Sequence, residues 1–194
     1  SNNNYSMSFD GNDDYVDVNN TNAIGPTTSS DFSFSLWVKV SSIISGNIIS
    51  LYDNLNASNS NFLLGVNVTN NFRVSGNGTN VLDFGTPIIN TWYYISVVFQ
   101  SNGTVKAYIN GTFAGSSNLN LNSSISTVPI SFGKVNGPIP GFFEGEIDQI
   151  SIWNTALDSN QIQQYMNCPP TGSEAGLVGY WNFEEGPGST VALD

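Results

Sequence analysis

Apolar and polar residues alternate with a period of two through most of this chain, the pattern of strands with one buried face. Tyr5, Met7 and Phe9 alternate with Ser6, Ser8 and Asp10, and after a Gly11-Asn12-Asp13-Asp14 turn the run Tyr15 to Val18 follows. Phe32 to Val40 reads as a long strand, and Asn47 to Leu51, Phe62 to Val68, Phe72 to Ser75 and Val81 to Phe84 as shorter ones separated by Asn, Ser and Gly. Thr91 to Phe99 is apolar on both faces, as expected of a central strand between two layers. Asn102-Gly103 and Asn110-Gly111 are hairpin turn pairs of the type I′ kind and predict a three-strand meander. Pro129 to Gly133, Glu144 to Trp153 and Gly176 to Phe183 complete the strands, with an irregular loop around 137–141.

One segment has a different period. Ile162, Tyr165 and Met166 fall at i, i+3 and i+4 behind Asp158 or Ser159 as a cap, and Pro169-Pro170 stops the run. This predicts one short helix near residues 159–166. About a dozen strands with a single late helix imply an all-β antiparallel sandwich of the jelly-roll kind. The reading is one domain over residues 1–194 with 177–184 as its last strand, and 168–175 is the only candidate boundary.

Charge narrows the function. The 194 residues include 15 acidic and 4 basic side chains and no histidine, for a net charge of -11. So few cations cannot neutralise a phosphate backbone or hold an anionic membrane, so no nucleic-acid partner is expected. No stretch is long and apolar enough for membrane insertion. Without histidine there is no Ser-His-Asp triad and no His-ligated zinc or haem. A lone cysteine, Cys168, allows no intrachain disulfide and reads as a half-buried small apolar residue. Solubility resting on Asn, Ser, Thr and Gly resembles that of secreted bacterial surface modules. The start at Ser1 and the stop at Asp194 read as those of a piece of a larger multidomain chain.

Seven motifs occur in a telling order: Ser8-Phe9-Asp10-Gly11 with Asp14-Tyr15-Val16, Phe34 to Val38, Thr91-Trp92-Tyr93, Tyr108 to Gly111, Phe143 to Asp148, Ile152-Trp153-Asn154 with Ala156-Leu157, and Gly179 to Phe183. Together they resemble the laminin G-like (LamG) domains of the concanavalin A-like lectin/glucanase superfamily, with a late strand-helix-strand order shared with pentraxins. The resemblance implies two curved antiparallel sheets packed face to face, often with calcium and with sugar or protein ligands. It also implies that the first and late strands lie side by side with a structural calcium near their ends.

Asp10 and Asp148 each interrupt a well-formed strand. Asp148 is expected on the same buried face as Ile150 and Ile152, where an unpaired carboxylate costs several kcal/mol. It is satisfied either by backbone N–H donors or by a cation. With few basic partners in the chain, calcium is the reading taken. The resemblance would bring Asp10 and Asp148 together, with the Gly11 carbonyl as a further ligand. Asn12-Asp13-Asp14 lacks the spacing of an EF-hand. Lys134 to Gly137 lacks the acids of a pentraxin double-calcium loop.

Glu146-Ile147-Asp148 matches the start of the Glu-x-Asp strand of laminarinase-type relatives, but Ile150 and Ser151 stand where a second glutamate is needed. The chain is therefore not expected to be an enzyme. Trp37, Trp92, Trp153 and Trp181 are all assigned to core packing. Loop candidates for a ligand are Tyr52, Asp53, Asn54, Arg73 and Phe142, which otherwise are ordinary loop residues. The expected function is a non-catalytic extracellular or cell-surface module that recognises carbohydrate or a cell-surface ligand with structural calcium. The alternative is a structural or adhesive spacer within a large bacterial surface protein.

Overall fold

Thirteen strands and one helix make up the described part of the chain in the computed structural model, which covers residues 5–20, 24–43, 46–52, 62–77, 80–123, 128–136 and 141–185. In chain order the strands begin with β1 (Met7–Asp10), β2 (Val16–Val18), β3 (Phe32–Val40), β4 (Gly46–Leu51), β5 (Phe62–Val66), β6 (Phe72–Ser75) and β7 (Val81–Asp83). They continue with β8 (Trp92–Phe99), β9 (Thr104–Ile109), β10 (Thr112–Asn118), β11 (Ile130–Phe132) and β12 (Glu144–Trp153), then helix α1 (Ser159–Asn167) and β13 (Leu177–Trp181). Two antiparallel sheets result. One has seven strands in the order β1-β12-β3-β8-β9-β10, with β13 also paired to β12; the other has six in the order β2-β11-β4-β5-β6-β7. This is the expected all-β sandwich with one helix, and β1 does lie beside β12.

The inward faces of the sheets supply the core. Phe34 and Phe99 of the larger sheet meet Phe62 of the smaller at ring separations of 5.1 and 5.5 Å, and Phe72 meets Tyr93 at 5.6 Å. Trp181 closes one edge against Phe132 at 5.5 Å. Aromatic contacts of this kind add to the burial of each ring and fix how the layers sit on one another.

The β8-β9-β10 meander forms as expected, but its turns differ. Asn110 (φ 50°) and Gly111 (φ 73°) take the left-handed pair of a type I′ turn. In the first turn only Gly103 is left-handed, and its N–H donates to the Gln100 carbonyl at 2.9 Å.

Helix α1 begins where its capping chemistry dictates. The Asp158 carboxylate accepts from the N–H groups of Asn160 and Gln161, and the Gln161 amide oxygen accepts from the Asp158 N–H. The apolar face of α1 packs on the outer face of the larger sheet. Ile162 is buried there with Tyr94, Val98, Tyr108, Trp153 and Leu157, and Tyr165 stacks on Trp153 at 4.5 Å. The β12 sheet is therefore covered on both sides beneath the helix. Cys168, just beyond it, is exposed rather than half-buried.

Replacing Asp158 with Ala should cost about 1 kcal/mol, and Asp158→Asn much less, because only the former removes the cap acceptor. Urea unfolding of the two variants checks this.

Candidate functional site

The long strand β12 determines which side chains reach the outer face. Its register with β3 shifts between Asp148 and Ser151. Gln149 sits at the shift with φ 49°, a left-handed conformation that costs a non-glycine residue about 1 kcal/mol. The extra residue resets the alternation. Ile147, Ile150 and Ile152 all point into the core. Asp148 therefore does not share a face with Ile150 and Ile152 as expected; it lies on the opposite, outer face. The Gln149 N–H, removed from the ladder, donates to Asp148 Oδ1 at 2.7 Å.

Cross-strand pairing then assembles two rows on that face. Glu146 lies opposite Lys39, which lies opposite Trp92; Asp148 lies opposite Trp37, which lies opposite Tyr94. Beside the C-terminal end of α1 these rows border a cleft of about 560 Å³ lined by Trp37, Trp92, Glu146, Asp148, Gln149 and Asn167, among others. Trp153 and Trp181 are buried as expected. Trp37 and Trp92 are not core residues: both are half-buried and present indole surface to the cleft. The bulge and the end of the helix leave them uncovered.

The two acids of the cleft are shifted in opposite directions. Burial works against ionisation of Glu146. The bonds from Lys39 Nζ (2.6 Å) and the Ser6 hydroxyl (2.9 Å) outweigh it and hold its carboxyl below the usual range. Asp148 is only 5% exposed. Burial pushes its carboxyl up to about 7, against the Gln149 bond and with help from the Glu184 charge. Burial beside Asp148 and Glu184 likewise pushes the Tyr180 phenol up to about 12. The next outward position after Asp148 is Ser151, whose hydroxyl accepts from Trp153 Nε1 at 3.1 Å.

The expected calcium set is divided. Asp10 lies opposite Glu144, and Asp148 lies four residues further along β12, about 13 Å away along the strand. Asp10 is instead grouped with Asp13 and Asp14, all exposed, with carboxylate oxygens within 4.8 Å of one another. Gly11 (φ 80°) makes the turn that folds them together. The Asn12 side chain and N–H bond to Asp10 and hold its carboxyl below the usual range. An all-oxygen group of carboxylates fits calcium chemistry.

Of the expected ligand residues, Tyr52 and Arg73 lie apart among the described residues. Arg73 is engaged by Asp83 through Nε (2.6 Å) and Nη2 (2.8 Å). Arg73 borders a cavity with Asn47 and Gly65, and Tyr52 follows the far end of β4 from Asn47. Phe142 is half-buried, with its carbonyl against Gly46. Asp53 and Asn54 lie outside the described residues.

The Laminin_G_3 family, of the concanavalin A-like lectin/glucanases superfamily, matches residues 10–163. The chain belongs to this family. Laminin_G_3 membership agrees with the sandwich and with the ordered motifs in its sequence. No curated protein matches it. Among solved structures it is similar to a "putative carbohydrate binding protein" from Bacteroides ovatus, at TM-score 0.72 and 17% identity over 93% of this chain and 51% of that one. It is also similar to a heptameric SAP-like pentraxin from Limulus polyphemus, at TM-score 0.64 and 18% identity over 86% and 83%. A third is the binding domain of botulinum neurotoxin serotype D/C, at TM-score 0.64 and 20% identity over 86% and 44%. This Laminin_G_3 chain thus spans about half the length of the Bacteroides ovatus protein.

Because the folded state holds the Asp148 proton more tightly than the unfolded chain, the Asp148 contribution to stability is full below about pH 4 and falls as pH rises to about 7. Asp148→Asn should remove this decline and raise the melting temperature above pH 7. Thermal unfolding across that pH range checks it.

Proposed function

We propose that this chain is a non-catalytic extracellular module that binds carbohydrate in the outer-face cleft. The observation that carries the reading is the pairing of two half-buried indoles that line the cleft, Trp37 and Trp92, with the carboxylates and amides of Glu146, Asp148, Gln149 and Asn167. Indole faces stack on the C–H faces of sugar rings, and planar amide and carboxylate groups beside them bond the hydroxyls. Family membership and the fold shared with the Bacteroides ovatus protein, which is named for carbohydrate binding, support the same reading. Ser151 at the next outward position of β12 supports a non-catalytic role, because a hydroxyl cannot replace the second carboxylate of a retaining glycosidase.

Calcium is proposed for the turn of Asp10, Gly11, Asp13 and Asp14, separate from Asp148 and from the cleft. There it would pin the loop between β1 and β2.

Three outcomes are expected. Affinity gels containing neutral polysaccharides should retard the protein, and Trp37→Ala or Trp92→Ala should weaken retention about tenfold. Uniform mobility across a broad glycan panel would refute the binding reading. The protein should release no reducing sugar from a β-glucan. Chelation should lower the melting temperature by roughly 5 °C, and Asp10→Asn should abolish that response.

A further inference from the structure

The chain holds four cationic side chains, and all are accounted for among the described residues. Lys39 pairs with Glu146, Arg73 with Asp83 and Lys134 with Asp17. Lys106 lies on β9, separated from β12 by β3 and β8. No lysine or arginine therefore meets Asp148. Its carboxylate is buried at the wall of the cleft, and the bond it receives comes from the adjacent Gln149 N–H. A desolvated carboxylate with so little compensation either keeps its proton or takes up a cation from outside.

The aromatic wall accepts positive charge as well. Lys39 Nζ already lies 5.3 Å from the centre of the Trp92 ring. Trp37, opposite Asp148 and backed by Tyr94 at 5.3 Å, offers an equivalent ring that no lysine or arginine of the chain covers. Around Asp148 itself the charge is negative: the charge of Glu184 acts on it, and Glu146, two residues away, is already engaged by Lys39.

We propose that the cleft selects saccharides carrying free amino groups, with the ammonium seated between the Asp148 carboxylate and the Trp37 ring. This rests on the carbohydrate-binding reading of the cleft and names the class of sugar it takes. Neutral sugars would stack on the same indoles but leave Asp148 uncompensated. Acidic sugars would bring a second negative charge to Asp148 and be repelled. The carboxyl proton that burial retains near neutral pH is what the incoming ammonium replaces.

The test is calorimetric titration of the whole chain in EDTA, so that no metal ion mediates binding. The probes are N-acetylated chitotetraose and its fully deacetylated counterpart, which share one backbone and differ in charge. The deacetylated form should bind about tenfold more tightly or better. Added salt should reduce that advantage in the unmodified protein. Asp148→Asn should erase the difference between the two forms, and Asp148→Glu, which keeps the charge, should retain part of it. Equal affinities, or a preference that survives in Asp148→Asn, would overturn the proposal while the carbohydrate reading stands. So would retention of neutral polysaccharides with no binding of the amine. Silence toward every glycan would overturn both.

Discussion

A single extra residue in β12 governs what this sandwich presents to the outside. Strict alternation from Ile147 would turn Ile150 and Ile152 outward, because successive side chains of a strand point to opposite faces. The bulge at Gln149 keeps all three isoleucines in the core and turns Trp153 to the outer face that Asp148 already occupies. Asp148 in turn satisfies the N–H that the bulge removes from the ladder. The irregularity and the buried acid therefore support one another. Bulges of this kind commonly re-aim a side chain beside a functional surface.

The larger sheet is covered unevenly, and the cleft follows from that. Its inner face is sealed by the six-stranded sheet. Among the described residues, its outer face is sealed where α1 lies over Trp153, Tyr94 and Val98. Beyond the end of α1, Trp37 and Trp92 remain at the surface beside Glu146 and Asp148. Two neighbouring acids there differ because of their partners. Glu146 has Lys39 and Ser6, whereas Asp148 has one backbone donor and a desolvating wall. In a protein with 15 acidic and 4 basic side chains, which acid receives a cation is a decisive allocation.

The same scaffold appears in a pentraxin and in a neurotoxin binding domain at 18–20% identity. At that distance the likeness concerns the packing of two sheets, which many sequences can supply. Function lives in the groups grafted on the scaffold. The indole and carboxylate rows on the outer face carry the functional reading.

The ordered motifs carried the family resemblance, which implied the pairing of the first and late strands; the strands, the helix and its cap were legible from residue order. They depend on local alternation, turn chemistry and capping, which are properties of neighbours along the chain. The acids Glu146 and Asp148 were legible as a same-face pair, two residues apart on one strand. What the linear order could not convey was depth. Trp37 and Trp92 sit within apolar motifs that look like core, and only the limited reach of α1 leaves them uncovered. Nor could it show that Asp148 faces away from Ile150, since a one-residue bulge has no compositional mark when its residue is glutamine rather than glycine. The separation of Asp10 from Asp148, and of Tyr52 from Arg73, is likewise a matter of register between strands distant in sequence. Periodicity tells which residues share a face of one strand. Which strands meet, at what offset and beneath what cover, is decided by the packing of the whole sandwich.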